Sequence, residues 1–210
     1  MIIKICGITN FQDAEFAVKN GANWIGIIQY PKSARHVEIL QAKAISAKVR
    51  DLGAEPVGVF VNSSAAEILT ICQKANLNYI QLHGPISRQA HHLLSDAFTR
   101  IYVRSVTYEG ALIEDIDGGE KYLVKERDYL LFDGMNAGSG CSFNWGNLNG
   151  KIKTLTEMRF LIAGGLNSEN VANAITILQP DGVDVSSGVE SSLGVKSQPL
   201  IESFIKKVKF

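Results

Sequence analysis

Asp133 ends a short apolar run, Tyr129-Leu-Leu-Phe132, and a glycine-spaced segment follows it: Gly134-Met-Asn-Ala-Gly138-Ser-Gly140-Cys-Ser-Phe-Asn144. The run has the length and composition of a buried strand. A carboxylate at its C-terminal end, a loop that glycines free to bend, and Asn144 placed to cap a helix form a strand–acid–loop–helix unit. α/β proteins use such units to set chemistry at the carboxyl end of a parallel sheet. Two more glycine turns follow later apolar runs, Gly164-Gly165 and Ser186-Ser187-Gly188. Glycine lets an anion approach backbone amides, and a helix N-terminus adds favourable partial charge. With Gly138-Ser139-Gly140 they make three such turns in consecutive units, which predicts a phosphate cradle.

The elements that must position these residues alternate from the start. Strands are expected at Ile2–Cys6, Trp24–Gln29, Pro56–Val61, Asn78–Leu82, Arg100–Val106, Tyr129–Phe132, Arg159–Ala163 and Gly182–Val185. Between them, helical spacing predicts helices at Asn10–Asn20 (closed by Gly21), Val37–Leu52, from a Ser63 or Ser64 cap to Ala75, and at Ser87–Ser95. A short helix over Ala111–Ile116, a poor one at Trp145–Leu148, one at Ser168–Leu178 with Ser168 as cap, and a last one at Pro199–Val208 complete the series. Eight strand–helix pairs predict an α/β fold, a single (β/α)8 TIM barrel, with residues 1–210 as one barrel domain. A doubly wound open sheet is the alternative.

Strand side chains alternate faces, so parity decides what points at the barrel axis. The inward set contains Lys4, Cys6, Gln81, His83, Asp133 and Asp184. That set is too polar for a plain core, because each buried polar group needs a partner. Lys4 calls for a carboxylate, and Asp184 is the candidate. Cys6, His83, Asp133 and Ser186 fall at the mouth, where barrel enzymes hold their sites.

The 21 basic and 21 acidic side chains cancel, and no basic cluster suggests nucleic acid as a partner. No window approaches a membrane span. The three cysteines, Cys6, Cys72 and Cys141, are odd in number and widely spaced, which suits free thiols in a reducing cytoplasm better than a disulfide or zinc set. The opening segment lacks the pattern of a secretory signal.

Six segments carry a family resemblance: Lys4-Ile-Cys-Gly-Ile-Thr9, Tyr30-Pro-Lys-Ser-Ala-Arg35, Val57-Gly-Val-Phe-Val-Asn62, Ile80-Gln-Leu-His-Gly84, Ala163-Gly-Gly-Leu166 and Val183-Asp-Val-Ser-Ser-Gly-Val-Glu190. In order and over nearly the whole chain, they resemble the phosphoribosylanthranilate isomerases of tryptophan biosynthesis. The resemblance implies an Amadori rearrangement of an aminoaldose phosphate, a small-molecule phosphosugar substrate, no cofactor and no metal, since the substrate's iminium is itself the electron sink. It implies Asp133 as general acid and Cys6 as general base, with Arg35 on the anthranilate carboxylate and Asp184 positioning substrate. His83, from its place at the mouth, is expected among the substrate-binding residues as a hydrogen-bonded wall residue rather than a proton carrier. The acid must stay protonated until the ring opens, so a desolvating site would help it, and positive charge would help the thiolate. Ala34, Ala137 and Asn144 depart from the family's usual proline, glycine and aspartate.

Two rivals frame the reading. Another phosphosugar barrel enzyme would need a catalytic lysine or metal cluster at strand ends, where Lys4 and Arg104 are the only basic residues. A non-catalytic phosphoribosyl-ligand binder would need neither Cys6 nor Asp133. A monomer or homodimer is expected.

Overall fold

The computed structural model describes residues 1–113, 119–134, 142–155 and 157–209, and only the backbone of 153–155. Eight parallel strands close into a barrel: β1 (Ile2–Cys6), β2 (Trp24–Ile28), β3 (Glu55–Phe60), β4 (Tyr79–Leu82), β5 (Thr99–Val106), β6 (Tyr129–Gly134), β7 (Phe160–Ile162) and β8 (Gly182–Val185). Each pairs with the next, and β8 returns to β1 in the register Ile2↔Gly182 to Ile5↔Val185. That closure excludes the open doubly wound sheet.

The helices are α1 (Phe11–Asn20), α2 (Ile39–Asp51), α3 (Ala65–Ala75), α4 (Pro85–Gln89), α5 (Trp145–Leu155), α6 (Val171–Leu178) and α7 (Gln198–Lys209). Local chemistry sets several ends. The Asn10 side chain accepts from the Asp13 N–H at 2.8 Å to start α1, and Gly21, in the left-handed region, ends it. Ser64 and Glu67 form a reciprocal capping box at the start of α3.

Four expectations need correction. The helix expected over Ser87–Ser95 is the five-residue α4 followed by a 3-10 turn at Ala90–Leu93. Pro85 opens it, and Ser87 lies buried within it, accepting from the Ser63 N–H at 3.0 Å. Ser168 does not cap α6: the Asn167 side chain takes the N–H groups of Glu169 and Asn170, Asn170 answers to the Asn167 N–H, and the helix begins at Val171. The helix at Trp145 runs on to Leu155 despite Gly146 and Gly150, because Trp145, Leu148 and Ile152 bury one helical face against the core. Asn144 does cap it, accepting from the Asn147 N–H at 3.1 Å. Of the helix expected at Ala111–Ile116, Leu112 instead forms an antiparallel bridge with Val106, and residues 114–118 lie outside the described residues.

Between β8 and α7 lies a hairpin absent from the sequence reading. A 3-10 turn at Ser187–Val189 leads into β9 (Glu190–Ser192), which pairs antiparallel with β10 (Val195–Lys196).

The core has two shells. Ile25, Phe60, Ile80, Leu130, Phe132 and Val183 point outward into the layer between barrel and helices. The barrel's interior holds Trp24, Val57, Ile101, Val103, Tyr129, Leu131, Leu161 and Ala163, with Ile2 and Tyr79 packed on them. Trp24 meets Tyr129 edge-on at 5.0 Å and Tyr79 at 5.4 Å. These rings fill the N-terminal half of the barrel, so polar inward positions concentrate at the opposite end.

Candidate active site

Lys4 and Asp184 are register partners on β1 and β8, and both face inward. Lys4 Nζ donates to Asp184 Oδ1 at 3.0 Å, and the lysine is wholly shielded from solvent. Burial opposes the lysine's charge, but Asp184 and Cys6 outweigh it and hold its pKa above the usual value. This pair forms the floor of the site.

Above it opens a cavity of about 320 Å³, bounded by the C-terminal ends of the strands. Of the residues singled out in the sequence, it brings together Cys6, Arg35, His83, Asp133, Gly164, Gly165, Asp184, Ser186 and Ser187. Lys32 is exposed and takes no part in the lining. Gly188 follows Ser187 just outside the cavity lining. Its Cα faces the Leu166 carbonyl so closely that an added Cβ would lie 1.9 Å from that oxygen, so glycine is required where the two turns meet. The expected phosphate residues Gly138, Ser139 and Gly140 lie outside the described residues, as do Ala137 and Cys141.

Cys6 ends β1, and its Sγ occupies the space beside Gly26 of β2; a Cβ there would come within 2.7 Å of the sulfur. Burial pushes the Cys6 thiol above its ordinary 9.0, Lys4 pulls it back, Asp184 pushes it up and Lys196 pulls it down, with a net rise. Cys72 is buried in α3 and is pushed up to about 12 by desolvation, which keeps it an inert core thiol.

Asp133 stands at the end of β6, beside Gly164 of the next turn. Burial pushes its carboxyl up to about 7, and the negative charge of Asp184 adds to the rise; the Gly134 N–H and Lys4 pull the other way. His83 Nε2 lies 3.6 Å from Asp133 Oδ2, too far for a direct hydrogen bond. Burial, then Lys4 and Arg88, hold His83 down at about 4, so it is neutral near pH 7. The Gln81 amide lies 3.1 Å from His83 Nδ1; with that amide as donor, the ring proton sits on Nε2, toward Asp133.

Arg35 reaches the rim from the loop after β2. Its stem lies across Gly7, where a Cβ would come within 2.6 Å of Arg35 Cδ, and Gly7 takes a φ of +72° that favours glycine. The guanidinium is not a free fork: Nε and Nη2 donate to Glu190 Oε1 and Oε2 at 2.7 and 2.8 Å. Arg104, the other cation considered at a strand end, pairs with Glu120 and the Ile113 carbonyl and does not line the cavity.

Sequence reasoning passed over Glu190 and Lys196. Glu190 was visible as the last residue of a matched segment, but Lys196 carries no local signal, because its strand has two residues and its partners come from folding.

The chain's sequence matches the family model described as N-(5′-phosphoribosyl)anthranilate (PRA) isomerase over residues 3–207. The chain belongs to this family. Among its PRA isomerase relatives, N-(5′-phosphoribosyl)anthranilate isomerase 1, chloroplastic, of Arabidopsis thaliana is 40% identical over 99% of this chain and 74% of its own length. The isomerase of Chlamydia caviae is 36% identical over 100% of this chain and 97% of its own length. The phosphoribosyl anthranilate isomerase structure from Thermotoga maritima superposes with a TM-score of 0.84 at 34% identity, covering 100% of this chain and 99% of that one. The PRA isomerase family therefore accounts for the barrel and for the six matched segments together. Among the described residues, no helix is long and apolar enough to cross a membrane.

Proposed function

We propose that the cavity catalyses the Amadori rearrangement of N-(5-phosphoribosyl)anthranilate to 1-(o-carboxyphenylamino)-1-deoxyribulose 5-phosphate, a step of L-tryptophan biosynthesis, with Asp133 as general acid and Cys6 as general base. The observation that carries this reading is a carboxyl held to about 7 by its surroundings, in one cavity with a thiol flanked by ammonium groups. Asp133 donates its proton to the furanose ring oxygen as the C1–O bond breaks, leaving an iminium at C1. The Cys6 thiolate removes the proton from C2, and that electron pair neutralises the iminium. The resulting enolamine tautomerises to the ketone. No external oxidant or electron acceptor enters this balance.

The two groups work in an unusual order of acidity. Asp133 is held at about 7 and the thiol is raised above its ordinary value, so the productive pair, protonated acid with thiolate, is a minor form of the free enzyme. The cationic iminium forms within reach of the thiol and increases that fraction when the base is needed. The Gly164-Gly165 and Ser186-Ser187 turns are placed to take the phosphate, and Asp184 to position the sugar. Arg35 suits the anthranilate carboxylate, for which a planar guanidinium is well shaped. A related isomerase, 33% identical and with a TM-score of 0.81, has been solved with reduced 1-(o-carboxyphenylamino)-1-deoxyribulose 5-phosphate, a ligand of the same chemistry. The reading takes residues 1–210 as one cytoplasmic barrel domain, as a monomer or homodimer.

The test is turnover of freshly prepared N-(5-phosphoribosyl)anthranilate followed by its fluorescence. Cys6→Ser and Asp133→Asn are expected to lower kcat by at least about a hundredfold, the scale of general acid–base catalysis, while leaving product affinity largely intact. Near-normal turnover in either variant removes the role given to that residue.

A further inference from the structure

The hairpin beyond β8 carries a buried cation that the rearrangement as written does not use. Lys196 has no exposed side-chain surface, and its ammonium donates to Glu190 Oε1 at 2.7 Å and to the Ser186 carbonyl at 2.9 Å, with Ser186 Oγ at 3.4 Å. The same carboxylate receives both arms of the Arg35 guanidinium, and the Gly194 N–H of the hairpin turn adds a fourth donor at 3.1 Å. The turn also packs on the Arg35 loop, because a Cβ on Gly194 would meet the Ala34 carbonyl at 3.0 Å.

We propose that Lys196 is a positioning residue for the substrate's carboxylate: it satisfies Glu190, so that Arg35 is held in place by Glu190 without being neutralised by it. The logic is one of charge. Arg35 with Glu190 alone would be a neutral pair, and a neutral pair offers an incoming carboxylate nothing beyond hydrogen-bond geometry. With Lys196 added, two cations share one carboxylate and the cluster is left one unit positive at the cavity rim. Burial makes that unit count, since solvent screens it poorly. Glu190 accordingly sits at about 2: its burial opposes ionisation, and the bonds from Arg35 and Lys196 overcome it. Lys196 reaches further as well. It is one of the charges that lower the Cys6 thiol, and through Ser186 it is tied to the cavity-lining turn after β8.

This inference rests on the isomerase reading, and its test separates the two. Reduced 1-(o-carboxyphenylamino)-1-deoxyribulose 5-phosphate is titrated calorimetrically onto the full-length protein and onto Lys196→Met, Glu190→Gln/Lys196→Met and Lys196→Arg. Lys196→Met is expected to weaken binding about tenfold or more, as losing one partner of a buried charge cluster does. Removing the carboxylate as well returns the net charge to one positive unit. The double variant is therefore expected to bind within about threefold of wild type although it lacks both groups, and Lys196→Arg to bind nearly as wild type. A merely structural lysine would not be rescued by a second loss. Wild-type affinity in Lys196→Met, or a double variant no better than the single, overturns the proposal. If Lys196→Met is too unstable to titrate, Lys196→Gln, which keeps a donor for the Ser186 carbonyl without the charge, carries the same expectation. A wild-type protein that binds the analogue but turns over no substrate would instead count against the isomerase reading alone.

Discussion

Replacing Asp184 by Asn tests the acid through the charge that tunes it. Asp133 titrates at about 7 where an ordinary aspartate stands at 3.8; burial is the larger cause and Asp184 the next. The consequence for catalysis is large. At pH 7 a carboxyl of pKa 7 is half protonated, whereas one at 3.8 would carry its proton in only about one molecule in 1,600. Asp184→Asn removes a negative neighbour and leaves the Lys4 ammonium without its partner, and both changes push Asp133 down. Even if the unpaired lysine sheds its proton, Asp184 is the stronger influence of the two on Asp133, so the sign holds.

The sign of the rate effect follows from the productive form, protonated Asp133 with ionised Cys6. Between the two pKa values kcat/KM is flat, because acid lost with rising pH is matched by thiolate gained. Below the Asp133 midpoint the acid is already full and the thiolate keeps disappearing, so kcat/KM falls tenfold per pH unit. The wild-type acidic limb is therefore expected to break near 7, and that of Asp184→Asn at a distinctly lower pH. The plateau drops only as far as Asp133 moves more than Cys6, which Asp184 also pushes up. Substrate phosphate, with a second ionisation near ~6, bends both profiles at the same pH and so cannot imitate a shift between them. An acidic limb that stays at 7 or moves upward in Asp184→Asn would show that Asp133 is not the group being titrated.

Two further outcomes are expected. Lys4→Met leaves Asp184 buried beside Asp133 with no counter-charge, and thermal or urea unfolding is expected to show a loss of about 3–5 kcal/mol; a change under 1 kcal/mol would mean that water or neutralisation already compensates the pair. Arg35→Ala removes the cation at the rim but leaves Glu190 paired with Lys196, so the fold persists and KM is expected to rise about tenfold or more with a smaller change in kcat; an unchanged KM takes Arg35 out of the substrate's reach.

The barrel was legible because its signals are short-range and repeated. Strand parity alone places Lys4, Cys6, Gln81, His83, Asp133 and Asp184 on the inner face, and the demand that a buried ammonium find a carboxylate points to the Lys4–Asp184 pair that the fold forms. Helix ends were less legible where two residues compete for one role, as Ser168 and Asn167 do before α6, or where packing overrides propensity, as it does for the glycines of α5. The glycine turns after β7 and β8 were legible as turns, but the glycines within them could not be sorted: Gly164 lines the cavity, while Gly188 approaches the carbonyl of Leu166 on the neighbouring turn.

The Arg35 cluster marks the limit more sharply. From the sequence, an arginine at a motif position reads as a free hand for an anion. In the fold that hand already grips Glu190, and whether it can still serve a substrate depends on a lysine 161 positions away that no periodicity points to. Parity could reveal Lys4 because a strand repeats every two residues and its partner lies on the adjacent strand. It could not reveal Lys196, whose strand is two residues long and whose charge has meaning only through Glu190. The proposed acid and base are thus written into the strands, whereas the charge proposed to make the rim attractive to an anion is assembled by a hairpin that follows the last barrel strand. Substrate affinity is accordingly expected to respond to changes in residues 190–196 that leave Cys6 and Asp133 in place.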